Sequence, residues 1–176
     1  MSVTDRTSAA HRRLLVFRHA KAAAHDMPDE ERPLADRGRR DAPEAGRWLR
    51  KQAITPDRVV CSTARRARET WELAAAELAE PAPVEYDERV YYASVGGLID
   101  LLHETSGDAK TVVLVGHNPV FEELVLALAG SAVAGARESV EGKFPTSAIA
   151  VLEIPCAWAD LNPKTARLLE VVVPRG

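Results

Sequence analysis

The feature of this chain that most constrains its fold is an alternation of short apolar runs with longer, helix-like stretches. The runs at residues 14–17, 59–61 and 111–115 are almost purely apolar, which is typical of strands buried on both faces of a sheet. A stretch whose apolar residues recur at helical spacing follows each run. Strands that alternate with helices predict an α/β fold, a three-layer sandwich with a mostly parallel central sheet.

The helix-like stretches have recognisable boundaries. Asp36 is predicted to cap a helix that reaches about residue 52, and residues 64–78 are predicted to form the helix after the second strand. Ser94 is predicted to cap a shorter helix, and Pro119 suits the first turn of a helix that reaches residue 128.

The C-terminal part of the chain differs from this pattern. Residues 148–154 and 166–173 are strand-like and are predicted to form antiparallel pairs at the edge of the sheet. Residues 130–142 form the most loop-like internal stretch. No repeat or linker interrupts the chain, so we expect one domain over residues 1–176, with residues 1–12 as a polar tail.

Composition narrows the class of protein. The formal net charge of -3 argues against a general nucleic-acid binder, which is normally basic. The two cysteines form no CxxC pair or disulfide framework, which favours a reducing compartment. The chain begins without the apolar core of a signal peptide, and no apolar run approaches the ~18 residues that a membrane span needs. We therefore expect a cytoplasmic protein with no membrane or nucleic-acid partner.

Charged and nucleophilic side chains follow the three predicted strands at their carboxyl ends. Arg18 and His19 follow the first, Arg65 and Arg66 lie in the helix turn after the second, and His117 follows the third. In an open α/β sheet, ligands bind beyond the carboxyl ends of the strands. The helix starts that come next favour an anion through their free N–H groups. These three segments are therefore expected to line one anion-binding pocket with both histidines and at least one arginine from each of two segments. Arg65 is expected to be a solvated charge on the helix face.

Two imidazoles among arginines suit the transfer of a phosphoryl group. Guanidinium groups neutralise the phosphoryl oxygens with fixed geometry. One neutral imidazole can attack phosphorus, and neighbouring cations lower its pKa and keep it unprotonated. The second imidazole can donate a hydrogen bond to a phosphoryl oxygen; His117 in this role would act better protonated.

Three motifs at these strand ends carry a family resemblance: L-V-F-R-H-A, C-S-T-A-R-R-A-R-E-T and L-V-G-H-N-P. They resemble signature segments of the histidine phosphatase superfamily, which includes the phosphoglycerate mutases and acid phosphatases. Two further segments and the short length of the chain resemble the small SixA branch of phosphohistidine phosphatases. The segments are E-R-P-L-A-D-R-G and K-F-P-T-S-A-I-A.

This resemblance implies a phosphoglycerate mutase-like fold and a metal-independent phosphatase without a cofactor. By the resemblance, His19 is the catalytic nucleophile that becomes phosphorylated, and Arg18, Arg66 and His117 bind the phosphate. The implied partner is a phosphorylated small molecule or a phosphohistidine protein.

A general acid is the remaining catalytic group. The segment Y-D-E-R-V-Y resembles the E-R-x-Y segment that supplies a carboxylate in relatives that cleave phosphate esters. Glu88 is therefore the predicted catalytic acid, with Asp87 as the second candidate. An alkoxide leaving group needs a proton, whereas an imidazole leaving phosphohistidine needs much less help.

The chain also departs from the family pattern. Ala20, Thr63 and Glu69 replace the usual Gly, Pro and Gln, and none of these changes removes a reactive group. Lys21 follows His19 closely enough to contact a phosphate, and His25 lies in the same loop.

The sequence is also compatible with rival functions, a binding module that uses the same pocket or a metal-dependent enzyme that uses the five histidines. The chain could be a non-catalytic module that binds a phosphorylated ligand, or a metal-dependent phosphohydrolase. Against the second, the sequence contains no H-x-H or H-E-x-x-H motif, and the arginines beside its histidines repel a cation. A mutase is a third alternative, although the short chain leaves little material for a lid that excludes water.

Overall fold

A computed structural model of the chain describes residues 11–24, 26–104 and 107–176. His25 and residues 1–10 of the predicted polar tail lie outside the described residues. Among the helices in these three ranges, none has both the length and the apolar character that crossing a bilayer requires.

In the described part of the chain, a seven-stranded sheet has the order β3-β2-β4-β1-β6-β7-β5. Strand β6 runs antiparallel to its neighbours β1 and β7, and every other neighbouring pair is parallel. The predicted α/β fold with a mostly parallel sheet is confirmed. The strands are β1 (Arg12–Arg18), β2 (Arg58–Ser62), β3 (Val84–Asp87), β4 (Thr111–Gly116), β5 (Ala129–Ala132), β6 (Ile149–Ile154) and β7 (Ala166–Val172).

Helices cover both faces of this sheet, and alternate strand residues enter different cores. Leu15 and Phe17 of β1 pack in a core with the first two helices, whereas Leu14 and Val16 pack in a core with the later helices. All four β1 side chains are buried, which explains the unbroken apolar run. The helices are α1 (Asp36–Lys51), α2 (Arg65–Ala75), α3 (Arg89–Tyr92), α4 (Val95–His103), α5 (Val120–Leu128) and α6 (Ala136–Gly142), with 3₁₀ turns at Asp29–Glu31 and Trp158–Asp160.

Helix boundaries agree with the predictions only in part. Ser94 caps α4 as predicted, with its side chain accepting a hydrogen bond from the backbone N–H of Gly97. The predicted cap at Asp36 is wrong, because Asp36 is the first residue of α1 and the cap is Ala35. A tertiary contact sets this start, since the N–H of Ala35 donates to the carbonyl of Lys21.

The prediction of a loop over residues 130–142 is also wrong. Strand β5 pairs in parallel with β7 and forms that edge of the sheet, and α6 buries Ala136 and Val140 in the core. The sequence signal is weak because β5 consists of small residues and α6 contributes only two buried side chains. Pairing with β7, rather than local propensity, organises this stretch.

Gly38 brings α1 against the loop that follows β1. A Cβ at this position would lie 2.2 Å from the carbonyl oxygen of Lys21, which is too close for backbone to tolerate. We expect Gly38→Ala to lower the free energy of unfolding by about 1–3 kcal/mol, as measured by urea denaturation.

Gly96→Ala is the matched control for this prediction. The Cβ would meet only the Ser94 hydroxyl at 4.0 Å, so we expect unchanged or slightly raised stability. Equal effects of the two substitutions would contradict the close approach at Gly38.

Candidate active site

The two histidines and their arginines come together at the carboxyl ends of adjacent parallel strands. Strands β2, β4 and β1 are neighbours, and the N–H of His19 donates to the carbonyl of Gly116 at the end of β4. The ring centroids of His19 and His117 are 5.1 Å apart. Arg66, in the first turn of α2, reaches the same place with its guanidinium group.

A cavity of about 290 Å³ opens at this point. Its lining contains four basic side chains and no carboxylate, so its electrostatic potential suits an anion. A larger cavity of about 360 Å³ at the amino ends of β2 and β3 has mixed charges and no histidine. The lining residues of the smaller cavity are Arg18, His19, Lys21, Ala22, Arg32, Arg66, His117, Asn118 and Thr146.

Hydrogen bonds to both ring nitrogens fix the orientation of His19 and leave one nitrogen unprotonated. Its Nδ1 lies 2.7 Å from the carbonyl oxygen of Ala20, and because a carbonyl only accepts, this contact assigns the ring proton to Nδ1. The lone pair is then on Nε2, which faces the Nε of Arg66 at 3.4 Å. Burial above all, with the nearby His117 and Arg66, lowers the pKa of His19 to about 3. The ring of His19 is therefore neutral in the free site, with an unprotonated Nε2.

His117 is positioned by Ser62 at the end of β2. The Nε2 of His117 lies 2.7 Å from the Ser62 hydroxyl, which also accepts a hydrogen bond from the N–H of Ala64. A hydroxyl can accept one bond and donate another, so this geometry allows Ser62 to donate to Nε2 and leaves the proton on Nδ1. The Nδ1 atom is buried and has no hydrogen-bond partner among the described residues.

His117 is neutral in the free site, although the sequence led us to expect better function when it is protonated. Burial, followed by the charge of Arg66, lowers the pKa of His117 to about 3, and Asp29 opposes this shift. A neutral ring with its proton on Nδ1 can still donate one hydrogen bond.

Arg18 is fixed by the K-F-P-T segment. Its Nη1 donates to the carbonyl of Phe144 at 2.7 Å, and the same carbonyl accepts from the side-chain amide of Asn118 at 3.1 Å. The Nε of Arg18 is buried and has no hydrogen-bond partner within the ranges that the structure describes. Burial lowers the pKa of Arg18, with Glu122 opposing, although a guanidinium stays charged.

Arg66 and Arg65 have different surroundings. Arg66 is 5% exposed, contacts His19, and is held from behind by Asp29. Arg65 faces solvent and pairs with Glu69 at 2.8 Å. Glu69, which departs from the family pattern, also accepts a hydrogen bond from the N–H of Leu34. The Glu69 carboxylate therefore forms these contacts outside the cavity.

Ala20 also departs from the family pattern without disturbing the site. It is fully buried, and its N–H donates to the Thr70 hydroxyl at 3.0 Å. Its backbone φ is not positive, so a Cβ causes no strain there.

Neither carboxylate predicted as the general acid lines the cavity. Glu88 is exposed at the start of α3, and its backbone carbonyl accepts from the N–H of Tyr91. Asp87 is paired with Arg89 at 2.7 Å, and this contact lowers the pKa of Asp87. The acid role of Glu88 therefore stays a prediction.

Sequence reasoning missed Asp29 and Tyr91, which contact Arg66 from behind. Asp29 lies just before the E-R-P-L motif, and Tyr91 lies within Y-D-E-R-V-Y. Their separation in the chain conceals that they meet.

Comparison with known proteins agrees with this geometry. Residues 14–105 match the model of the histidine phosphatase superfamily (branch 1). The chain belongs to this superfamily. It is 42% identical over 162 residues to an uncharacterized protein of Mycobacterium tuberculosis, covering 90% of this chain and 100% of the other. Membership supports phosphatase activity on a phosphorylated substrate.

Solved structures place this histidine phosphatase near the SixA branch. A proposed phosphohistidine phosphatase SixA from Nakamurella multipartitia has a TM-score of 0.83 and 33% identity, covering 93% of this chain and 96% of the other. The corresponding protein from Agrobacterium tumefaciens has a TM-score of 0.74 and 27% identity, covering 93% of this chain and 99% of the other. The predicted resemblance to a SixA-like histidine phosphatase is confirmed.

The depressed pKa values of the two histidines predict a pH dependence of stability. In the unfolded chain a histidine has a pKa of about 6.5, so between pH 6.5 and 3 the unfolded state binds more protons than the folded state. We expect the free energy of unfolding to be full above pH ~6.5 and to fall as the pH decreases toward 3. Urea denaturation at a series of pH values measures this decline.

His117→Asn and His19→Ala each remove one of these groups. We expect each variant to lose less stability than the wild type between neutral and acidic pH, because one buried neutral ring no longer has to be protonated. Parallel declines in all three proteins would show that these histidines are not the source.

Proposed function

We propose that this protein is a metal-independent phosphatase that hydrolyses a phosphomonoester or a protein phosphohistidine through a covalent phosphohistidine on His19. The observation that carries the proposal is the arrangement of the unprotonated Nε2 of buried His19 beside Arg66, in a cavity lined by basic groups without a carboxylate. A nucleophile among fixed cations is suited to an incoming phosphoryl dianion.

In the first step, the lone pair of His19 Nε2 forms a bond to phosphorus, and the P–O or P–N bond to the leaving group breaks. The leaving group takes that electron pair. An ester oxygen also receives a proton from Glu88, the proposed acid, whereas a phosphohistidine ring that carries a proton on its other nitrogen leaves as neutral imidazole. Arg18, Arg66 and His117 bind the three equatorial oxygens, and Nδ1 of His117 donates one of these bonds. The proton stays on His19 Nδ1, which donates to the Ala20 carbonyl, and this hydrogen bond fixes the ring during attack.

In the second step, water attacks phosphorus on the side opposite Nε2, and the P–N bond to His19 breaks. The products are inorganic phosphate and the neutral ring, ready for another turnover. Because four basic side chains supply the positive charge, no metal ion is needed to neutralise the dianion.

The leaving group decides how much an acid matters. We propose Glu88 as the proton donor for ester substrates, because it lies at the start of α3, and α3 is close to the cavity. The ring centroid of Tyr91 in α3 is 5.5 Å from that of His117. The exposed position of Glu88 favours a substrate whose leaving group needs little protonation, such as phosphohistidine. Similarity to proteins described as SixA phosphohistidine phosphatases supports the same substrate class.

Two free cysteines, Cys61 and Cys156, support the proposal of a reducing, cytoplasmic location.

The experiment is a phosphatase screen over phosphohistidine peptides, sugar phosphates and nucleotides, with wild type and Glu88→Gln in the presence of EDTA. We expect turnover in EDTA, and a loss of about 10²-fold or more in Glu88→Gln on esters with little change on phosphohistidine. Activity that EDTA abolishes and a metal restores would favour a metal-dependent phosphohydrolase.

Quenching without acid after reaction with labelled substrate separates an enzyme from a binding module. We expect label on His19. The P–N bond that carries the label is a phosphoramidate and is acid-labile, so an acid quench would remove it. Saturable binding of phosphate without turnover or labelling would show a non-catalytic module and contradict the proposal.

A further inference from the structure

Two hydrogen bonds from Arg66 to Asp29 hold its guanidinium group on the side away from His19. Its Nη1 donates to the backbone carbonyl of Asp29 at 2.6 Å, and its Nη2 donates to the carboxylate of the same residue at 3.0 Å. A guanidinium group has five N–H donors. With one donor on each terminal nitrogen used by Asp29, the Nε–H edge is directed toward His19.

Asp29 is itself held by Tyr91 of α3 and by Arg32, the residue that directly follows its own 3₁₀ turn. The Tyr91 hydroxyl of α3 donates to its Oδ2 at 2.5 Å, and the Nε of Arg32 donates to its Oδ1 at 3.0 Å. The carboxylate therefore joins the 3₁₀ turn at Asp29–Glu31 to α2 and α3. The Tyr91 hydrogen bond, with Arg66 contributing, lowers the pKa of Asp29 to about 2. At neutral pH this group is an acceptor and not a proton donor.

We propose that Asp29 is a positioning residue that orients the Arg66 guanidinium toward the phosphoryl group, with the Tyr91 hydroxyl fixing Asp29 in turn. This inference rests on the proposed function. Asp29 does not line the cavity, so it acts through Arg66 and not on the substrate.

The physical reason is preorganisation. An unrestrained arginine side chain samples many rotamers and loses that freedom when it binds phosphate. Asp29 restricts Arg66 before the substrate arrives, so the guanidinium meets the developing charge without reorganising. A purely structural ion pair would instead affect only the stability of the 3₁₀ turn.

Glu30 provides a matched control within the same turn. Its carboxylate accepts a hydrogen bond from the hydroxyl of Tyr92 at 2.6 Å, just as Asp29 accepts from Tyr91. The two pairs differ in that Asp29 also holds Arg66. Comparing Asp29→Asn with Glu30→Gln therefore isolates the contact with the arginine.

We expect Asp29→Asn to lower kcat/KM by about 10- to 100-fold and to weaken inhibition by inorganic phosphate, while Glu30→Gln stays within about twofold of wild type. Tyr91→Phe keeps the ring and removes only the hydroxyl, and we expect a smaller loss of the same kind. It also provides the test if Asp29→Asn does not fold.

A double-mutant cycle distinguishes positioning from a structural role. In an Arg66→Ala background, Asp29→Asn should have almost no further effect on kcat/KM or on phosphate affinity, because the residue it orients is gone. Equal losses in both backgrounds, or an Asp29→Asn variant that matches wild type in activity and phosphate affinity, would overturn the inference.

The same design separates this inference from the proposed function. If wild type turns over no phosphorylated substrate, the proposed function fails, but phosphate affinity in wild type and Asp29→Asn still tests the positioning. If wild type is active and Asp29→Asn is unchanged, only the inference fails.

Discussion

Replacing His19 with alanine is expected to reduce turnover by at least about 10³-fold, because the reaction loses the atom that bonds to phosphorus. The fold should persist. His19 directly follows β1, and its side chain lines the cavity. Steady-state kinetics and a thermal melt measure the two quantities on the same preparation.

His103→Ala is the control for this prediction. His103 lies on α4 and its Nε2 contacts the carbonyl of Leu161, away from the cavity. We expect activity within about twofold of wild type and no change in labelling. A His19→Ala variant that keeps near-wild-type turnover, or still incorporates label from substrate, would rule out the covalent step.

Replacing Arg66 is expected to have the next largest effect. We expect Arg66→Ala to lower kcat by about 10²–10³-fold, since it removes a preorganised cation from the place where charge develops on phosphorus. Arg66→Lys should recover only part of this loss. The guanidinium of Arg66 donates toward His19 through Nε while its terminal nitrogens bind Asp29, and the single nitrogen of a lysine cannot reproduce both contacts. Comparing kcat and KM for the three proteins measures the effect.

Arg65→Ala is the neighbouring control. The Arg65 side chain is 47% exposed and its ion pair with Glu69 lies outside the cavity, so we expect activity within about twofold of wild type. Comparable losses in Arg65→Ala and Arg66→Ala would mean that the change in helix charge, and not a contact at the site, controls the reaction.

Local sequence determined the central strands and the elements beside them. Residues 14–17 are buried whichever way they point, so their apolar run predicts a central strand without knowledge of its neighbours. The parallel order of the strands then brings His19 and His117 together, because both follow carboxyl ends at one edge. The cap at Ser94 depends on a contact three residues away and was equally predictable.

Predictions failed where the deciding contact is distant in the chain. The start of α1 depends on Lys21, and β5 exists because β7 offers it a partner. Neither contact leaves a local pattern of hydrophobicity or capping.

The sequence by itself determined the α/β fold and which side chains lie at the strand ends, because strand burial and strand-end residues are local properties. Only the tertiary structure decided the orientation of the Arg66 guanidinium group. Asp29 and Tyr91 are 62 residues apart, and their hydrogen bond behind Arg66 arises from packing of the 3₁₀ turn against α3. The orientation of a charged side chain depends on the groups that hydrogen-bond to it, and only the folded chain brings those groups together.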